Sequence, residues 1–226
     1  MYSVSRHDPE PVRRPHASAP ARPAAVDRLL QCPGARGVEV RNRRFLFHQG
    51  DACRGIYYLR SGMVSLQRVD DQGAFIIFGL IKPGGLFSWS DVLGRGQHRN
   101  SAQAVGNVQA SFIPRDAFLD VLRRDPAAFA DTLERASREM QDYEDTIFRL
   151  CTADVPERLY WTLRRLAGAE RAEGQAIEFR SPVLKRELAA MIGTSPEGVS
   201  RGIRRLEELN IARFSGRTIW LNLQAA

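Results

Sequence analysis

Cysteine is scarce and scattered in this 226-residue chain, which holds only Cys32, Cys53 and Cys151. An odd number with no Cys-x-x-Cys pair argues against a disulfide framework and offers no local clamp for zinc or an iron–sulfur cluster. Three reduced thiols in a reducing, cytoplasmic setting are expected, and no metal site is assigned. Long apolar runs are missing too: none approaches the ~18 residues of a membrane-spanning helix, and the first 25 residues lack the apolar core of a secretory signal. Nor is there a nucleophile paired with a base, a pair of catalytic carboxylates or a phosphate-cradling glycine loop, since "GRG" at 94–96 is too short to count. An enzyme is not expected.

What is present is positive charge. Lys and Arg number 33 against 26 Asp and Glu, a formal surplus of +7. A polyanionic partner such as double-stranded DNA fits that balance. The length allows two modest domains with real cores. Residues 1–25, rich in Pro, Arg, Ala and Ser, bury too little to order themselves and read as a disordered basic arm.

From about residue 38 to 113, short alternating runs such as "FLFHQGD", "GIYYLRSGMVSLQRV" and "AFIIFGLIKPGGLF" read as β-strands. Val64, Leu66 and Arg68 share one face while Ser65 and Gln67 take the other. "DDQG" at 70–73 supplies a hairpin turn. Turn signals at Gly50-Asp51, Gly62, Gly73 and Gly84-Gly85 recur about every 10 residues, which suits a compact antiparallel β-roll or jelly roll with no helix inside it.

After Pro126 the period becomes helical. Phe129, Leu133, Ala136, Met140, Tyr143, Ile147 and Leu150 step by four and three residues in alternation, a heptad seam flanked by charge. No second long heptad helix exists in the chain to pair with it, so a homodimer is favoured over a helix packed on its own β-domain.

The last segment carries the sharpest pattern. "VLKRELAAMIG" gives a helix with Leu184, Leu188 and Ile192 on one side, ended by Gly193. Thr194 or Ser195 then caps a second helix, with Pro196 in its first turn and Glu197 at the positive end of the dipole. At about 100° per residue, Val199, Ile203, Leu206 and Leu209 fall on a buried arc. Gly202 borders that arc and allows close approach of the first helix. Glu197, Ser200, Arg201 and Arg204 crowd the opposite arc, within the half of the helix that enters a major groove first. Arginine forks onto guanine, glutamate accepts from cytosine N4, and serine donates or accepts. Glu197, Ser200 and Arg201 are therefore the candidate base readers, with Arg204, Lys185, Arg186, Ser195 and Arg217 in support. "NIARFSGRTIWL" reads as a β-hairpin wing with its tip at Ser215-Gly216. Residues 181–226 hold seven basic and four acidic side chains, a surplus suited to phosphates.

This order of parts, an α+β chain with a β-roll sensor domain (26–125), a dimerisation helix (126–153) and a winged helix-turn-helix (154–226), resembles bacterial regulators of the CRP/FNR superfamily. The residues that carry the resemblance are "HQGD", "YYLRSGMVSL", "IPRDAF" and "KRELAAMIGTSPEGVSRGIRRLEELNIARFSGRTIWL". The resemblance implies a homodimeric transcription factor, an activator or dual regulator, that also contacts RNA polymerase. Its FNR-like branch reads TTGAT through a Glu-x-x-Ser-Arg pattern matched by Glu197, Ser200 and Arg201, which implies an inverted repeat of that half-site around four bases.

The same resemblance argues against the family's best-known effectors. In the cyclic-AMP cassette a Gly-Glu pair is followed by Arg-Ser; here Ser88 and Trp89 replace the former, and His98-Arg99 or Arg99-Asn100 only loosely matches the latter. Cys32 alone does not supply an iron–sulfur cysteine set. Ser88 and Ser90 stand where the related carbon-monoxide sensor has its Cys and His haem ligands. Ser88, Trp89, His98 and Arg99 are kept as a candidate effector pocket, and His48 and His98 as candidate haem or metal ligands, against the commoner structural or solvated role. No cofactor is assigned. The competing reading is a small-molecule or haem-sensing module whose main output is a protein contact.

Overall fold

The computed structural model describes residues 24–94, 96–169 and 176–224. The expected disordered arm falls outside the described residues, except that Ala24 and Ala25 open a helix. The chain divides into two compact units, with the boundary between Ile147 and Phe148.

The first unit runs α1 (Ala24–Gln31), β1 (Arg36–Val40), β2 (Phe45–Phe47), β3 (Gly55–Val69), β4 (Phe75–Ile81), β5 (Leu86–Phe87), α2 (Trp89–Leu93), β6 (Ser101–Pro114), α3 (Arg115–Arg124) and α4 (Pro126–Thr152), whose last turn crosses the boundary. Its strands form one antiparallel sheet in the order β1-β6-β3-β4, with β2 added to β6 and β5 to β3. The spine is β3 against β6, paired from Gly55 with Pro114 to Gln67 with Ser101. Gly62 is not the turn its sequence suggests. It lies inside β3 at φ +81°, where the register shifts, and a Cβ there would sit 2.3 Å from the Asn107 carbonyl. A glycine thus bends a long strand rather than ending it. The expected hairpin at 70–73 is present: the Asp70 carboxylate accepts from the Gln72 and Ala74 N–H groups at 2.9 Å each, and Gly73 takes φ +81°.

Alternation along β3 holds, but both faces are covered. Ser65 and Gln67 are buried as well as Val64, because β3 is an interior strand with packing above and below. Inside the roll lie Phe47, Leu59, Val64, Phe87, Ala102, Ala104, Val108 and Ala110. On the outer side, Ile56, Tyr58 and Ile113 pack with Phe118 of α3, Val92 of α2 and Val26 and Leu29 of α1. The helix-free β-domain of the sequence reading is corrected by α2, whose five residues are too few for helical periodicity to show.

α4 spans 27 residues, about 40 Å at 1.5 Å per residue. Phe129, Leu133, Met140, Tyr143, Ile147 and Leu150 are 41–60% exposed along it.

The second unit adds α5 (Val155–Leu166), β7 (Ala176–Arg180), α6 (Lys185–Ile192), α7 (Pro196–Glu208), β8 (Ala212–Ser215) and β9 (Thr218–Asn222). Asp154 and Glu157 close a reciprocal cap on α5, each side chain accepting the other's backbone N–H at 2.9 and 3.2 Å. Leu159 and Leu163 of α5, Leu188 and Ile192 of α6, Val199 and Leu206 of α7, and Ile219 and Leu221 of β9 are buried. β7, hidden in the sequence by its brevity, makes the wing a three-stranded sheet in the order β7-β9-β8.

Candidate nucleic-acid interface

The turn between α6 and α7 is built as its residue types require. Gly193 ends α6 at φ 63°, ψ 51°, where a side chain would be strained. Of the two capping candidates it is Ser195 that caps α7, its Oγ accepting the Gly198 N–H at 3.1 Å, with Pro196 next. At the start of α6 the Glu187 carboxylate accepts the Leu184 N–H at 2.6 Å. Leu184 is therefore a cap residue and 38% exposed, not part of the buried stripe.

Along α7, Val199, Gly202 and Leu206 are buried, while Glu197, Ser200, Arg201 and Arg204 are exposed. Leu209 leaves the expected buried arc: α7 ends at Glu208 and Leu209, its cap, is 47% exposed. Gly202 does accommodate a close neighbour, but that neighbour is α5 rather than α6. A Cβ there would lie 3.3 Å from Leu159 and 3.4 Å from Val155.

The exposed face has definite chemistry. Lys185 and Arg186 are exposed at the start of α6, and the Lys185 ammonium donates to Ser200 Oγ at 3.3 Å. The Glu197 carboxyl is held below the ordinary carboxylate range, chiefly by its own backbone N–H, then by the Ser195 hydroxyl, with the Arg201 charge adding to them. It is an anion, hence a pure acceptor, at neutral pH. Arg201 and Arg204 have no hydrogen bond or ion pair among the described residues.

The wing differs in detail from its sequence reading. Ser215 pairs with Thr218, so the two-residue tip is Gly216-Arg217, with Gly216 at φ 59°. Arg217, expected to support DNA, has its guanidinium occupied: Nε and Nη2 donate to the Ser181 carbonyl at 3.1 and 2.8 Å, and Nη2 also donates to that of Pro182 at 2.9 Å. It ties the wing to the segment before α6. Arg213 stacks over the Trp220 ring at 5.0 Å.

In the β-roll, the four residues grouped as a candidate effector pocket differ in burial. Ser88 and His98 are buried, Arg99 is exposed, and the half-buried Trp89 donates its indole N–H to Glu139 of α4 at 3.2 Å. An open cavity of about 380 Å³ in this unit is bounded by Asp27, Leu30, Gln31, Tyr58, Arg60, Pro83 and Gly84. His48 is exposed, with its ring 4.4 Å from that of Phe45.

Residues 38–125 match the family model of the cyclic nucleotide-binding domain, and residues 157–225 that of the Crp-like helix-turn-helix domain. The transcriptional activator protein Anr of Pseudomonas protegens is 27% identical over 196 residues, 86% of this chain and 78% of that one. The cyclic AMP receptor protein of Thermus thermophilus is 28% identical over 174 residues, 77% of this chain and 78% of that one. The solved structure of FixK2 from Bradyrhizobium japonicum shares the fold, with a TM-score of 0.73 at 22% identity over 85% of this chain and 98% of that one. The chain belongs to the CRP/FNR superfamily of DNA-binding transcription regulators.

Two residues of this CRP/FNR protein had no signal in sequence. Cys53 and Asp91 are distant along the chain, yet both are buried beside His98, with ligand-type atoms of all three within 4.8 Å of one another. Asp91 Oδ2 lies 3.2 Å from His98 Nδ1, and the His98 ring stacks on Phe47 with centroids 3.6 Å apart. The Cys53 thiol is pushed up, mainly by burial. No helix among the described residues is long and apolar enough to cross a membrane.

Proposed function

We propose that this CRP/FNR regulator acts as a homodimer that places α7 of each copy in successive major grooves of an inverted repeat of TTGAT-like half-sites. Glu197, Ser200 and Arg201 are the base readers, and Arg204, Lys185, Arg186 and Ser195 support them. One observation carries the reading: the three readers stand exposed together on the first two turns of α7 while Val199, Gly202 and Leu206 anchor its other side. Two recognition helices about one DNA turn apart require two copies. The row Phe129, Leu133, Met140, Tyr143, Ile147 and Leu150, with the half-buried Ala136, gives α4 a face for a second α4. Similarity to a transcriptional activator supports activation, and contact with RNA polymerase follows from the same family reading. Control comes from a signal at the β-roll or from the protein's own abundance.

Selection of duplexes from a random library by the full-length protein tests this. Enrichment of a TTGAT-like inverted repeat is expected. Enrichment of an isolated, unpaired half-site would contradict the dimer, and enrichment of an unrelated sequence would contradict the reader assignment.

A further inference from the structure

We propose that Cys53, Asp91 and His98 form a three-ligand site for a divalent cation of the zinc class inside the β-roll. The site arises from three separate pieces of chain: the loop between β2 and β3 brings Cys53, the short helix α2 brings Asp91, and the loop before β6 brings His98. All three are at least nine-tenths buried.

The geometry suits a metal. Two ligands held about 2.0–2.1 Å from zinc at a tetrahedral angle stand roughly 3.3 Å apart, and Asp91 Oδ2 and His98 Nδ1 are 3.2 Å apart. All the ligand atoms lie within 4.8 Å of one another, so a thiolate at the Zn–S distance is reached by an inward shift of ~1 Å. Stacking on Phe47 fixes the imidazole plane, and the Arg99 N–H on Asp91 Oδ1 at 3.3 Å fixes the carboxylate, the orienting role that outer partners play around metal ligands. One sulfur, one nitrogen and one carboxylate oxygen select a borderline cation and disfavour magnesium or calcium, which need oxygen sets.

A separate observation points the same way. Ser88 lies beside the cluster, its carbonyl oxygen 3.9 Å from Cys53 Sγ, and its Oγ is buried with no hydrogen-bond partner. Three protein ligands leave a fourth tetrahedral position, and the residue with this orphaned hydroxyl is the one whose carbonyl meets the Cys53 thiol. Asp91 itself is a buried carboxylate with no Lys or Arg within ion-pair distance among the described residues; its one cationic partner among them is His98 when that ring is protonated, and a bound dication would take that place with His98 neutral. A purely structural Asp91–His98 pair accounts for the carboxylate but leaves the Ser88 hydroxyl without an account. Ligation replaces the thiol proton, which leaves to solvent. It would also pin α2, the helix whose Trp89 meets Glu139 of α4.

The test is a cobalt(II) titration of the full-length protein, stripped with a chelator under reducing conditions and followed by absorbance. One cobalt per chain is expected to bring up a thiolate-to-cobalt charge-transfer band, bleached by one equivalent of zinc and untouched by excess magnesium. Asp91→Asn and His98→Gln are expected to weaken binding at least tenfold, and Cys53→Ser to abolish the band, while the double change Cys32→Ser with Cys151→Ser keeps it. Because that double change leaves Cys53 as the only thiol, it identifies the sulfur even if Cys53→Ser fails to fold. Absence of the band in the unaltered protein, its loss in the Cys32/Cys151 variant, or its survival in Cys53→Ser would overturn the assignment. None of these readouts depends on DNA.

Discussion

The ammonium of Lys185 donates to the Ser200 hydroxyl at 3.3 Å, and that hydroxyl donates in turn to the Pro196 carbonyl at 2.9 Å. The first bond reaches from the start of α6 to the exposed face of α7. The second is the back-bond that a mid-helix serine makes to the preceding turn. In the proposed reading, Ser200 would meet a base edge as a group already oriented, with a cation beside it.

Lys185 is proposed to contribute charge at this place rather than a sequence preference. Lys185→Ala is expected to weaken binding to matched and scrambled duplexes alike and to lower the salt slope by about one. Anisotropy titrations at several salt concentrations check this. A loss confined to the matched duplex would make Lys185 a base reader instead.

Arg201 is assigned the opposite behaviour. The fork proposed for Arg201 would discriminate by ~1–3 kcal/mol, about 5- to 150-fold, and is lost in Arg201→Ala. The preference for the TTGAT repeat is expected to fall by that factor while salt-sensitive background binding stays. Equal loss on matched and scrambled DNA would move Arg201 to the phosphates.

The apolar row of α4 is expected to hold two copies together. Leu133→Glu with Ile147→Glu replaces two residues that are 59% and 60% exposed in the single chain, so the fold of each copy survives while the seam does not. Light scattering after gel filtration is expected to show a dimer for the unaltered protein and a folded monomer for the variant. An unchanged oligomeric state would place the interface elsewhere.

The parts of the fold that depend on periodicity were legible in sequence. The long step of α4, the Gly193 stop, the Ser195–Pro196 start and the separation of Val199 and Leu206 from Glu197, Ser200, Arg201 and Arg204 all follow from side-chain spacing along one helix. Features that depend on meetings across the chain were not legible. Gly62 carries the same signal whether it ends a strand or bends one, and only the Asn107 carbonyl opposite decides. Arg217 looks like a phosphate contact until the carbonyls of Ser181 and Pro182 are seen to occupy it. The cluster of Cys53, Asp91 and His98 has no local spacing to read, because two loops and one short helix assemble it. α2 and β7 were missed for a simpler reason, since five residues give too little pattern to read.

Glu139 provides a pH-dependent check on the β-roll. Burial pushes its carboxyl above the ordinary carboxylate range, against the opposing pull of the Trp89 indole and the Arg135 charge. With the folded value raised, the fold favours the protonated acid, so this contribution is fully present below the ordinary range and lost as pH rises through the raised value. Glu139→Gln keeps an acceptor for Trp89 and removes the charge. Its Tm is expected to exceed that of the unaltered protein at neutral pH, with the gain shrinking on acidification. A gain that does not change with pH, or a loss at neutral pH, would contradict the account.

The most direct test of the account is fluorescence anisotropy of the purified full-length protein on a TTGAT-N4-ATCAA duplex and on a scrambled duplex, each at two salt concentrations. The base-reading face of α7 requires tighter binding to the repeat at both salts, with the background on scrambled DNA falling steeply as salt rises. Equal affinity for the two duplexes at both salts, in the presence and absence of zinc, would contradict the assignment of Glu197, Ser200 and Arg201 as readers of that sequence.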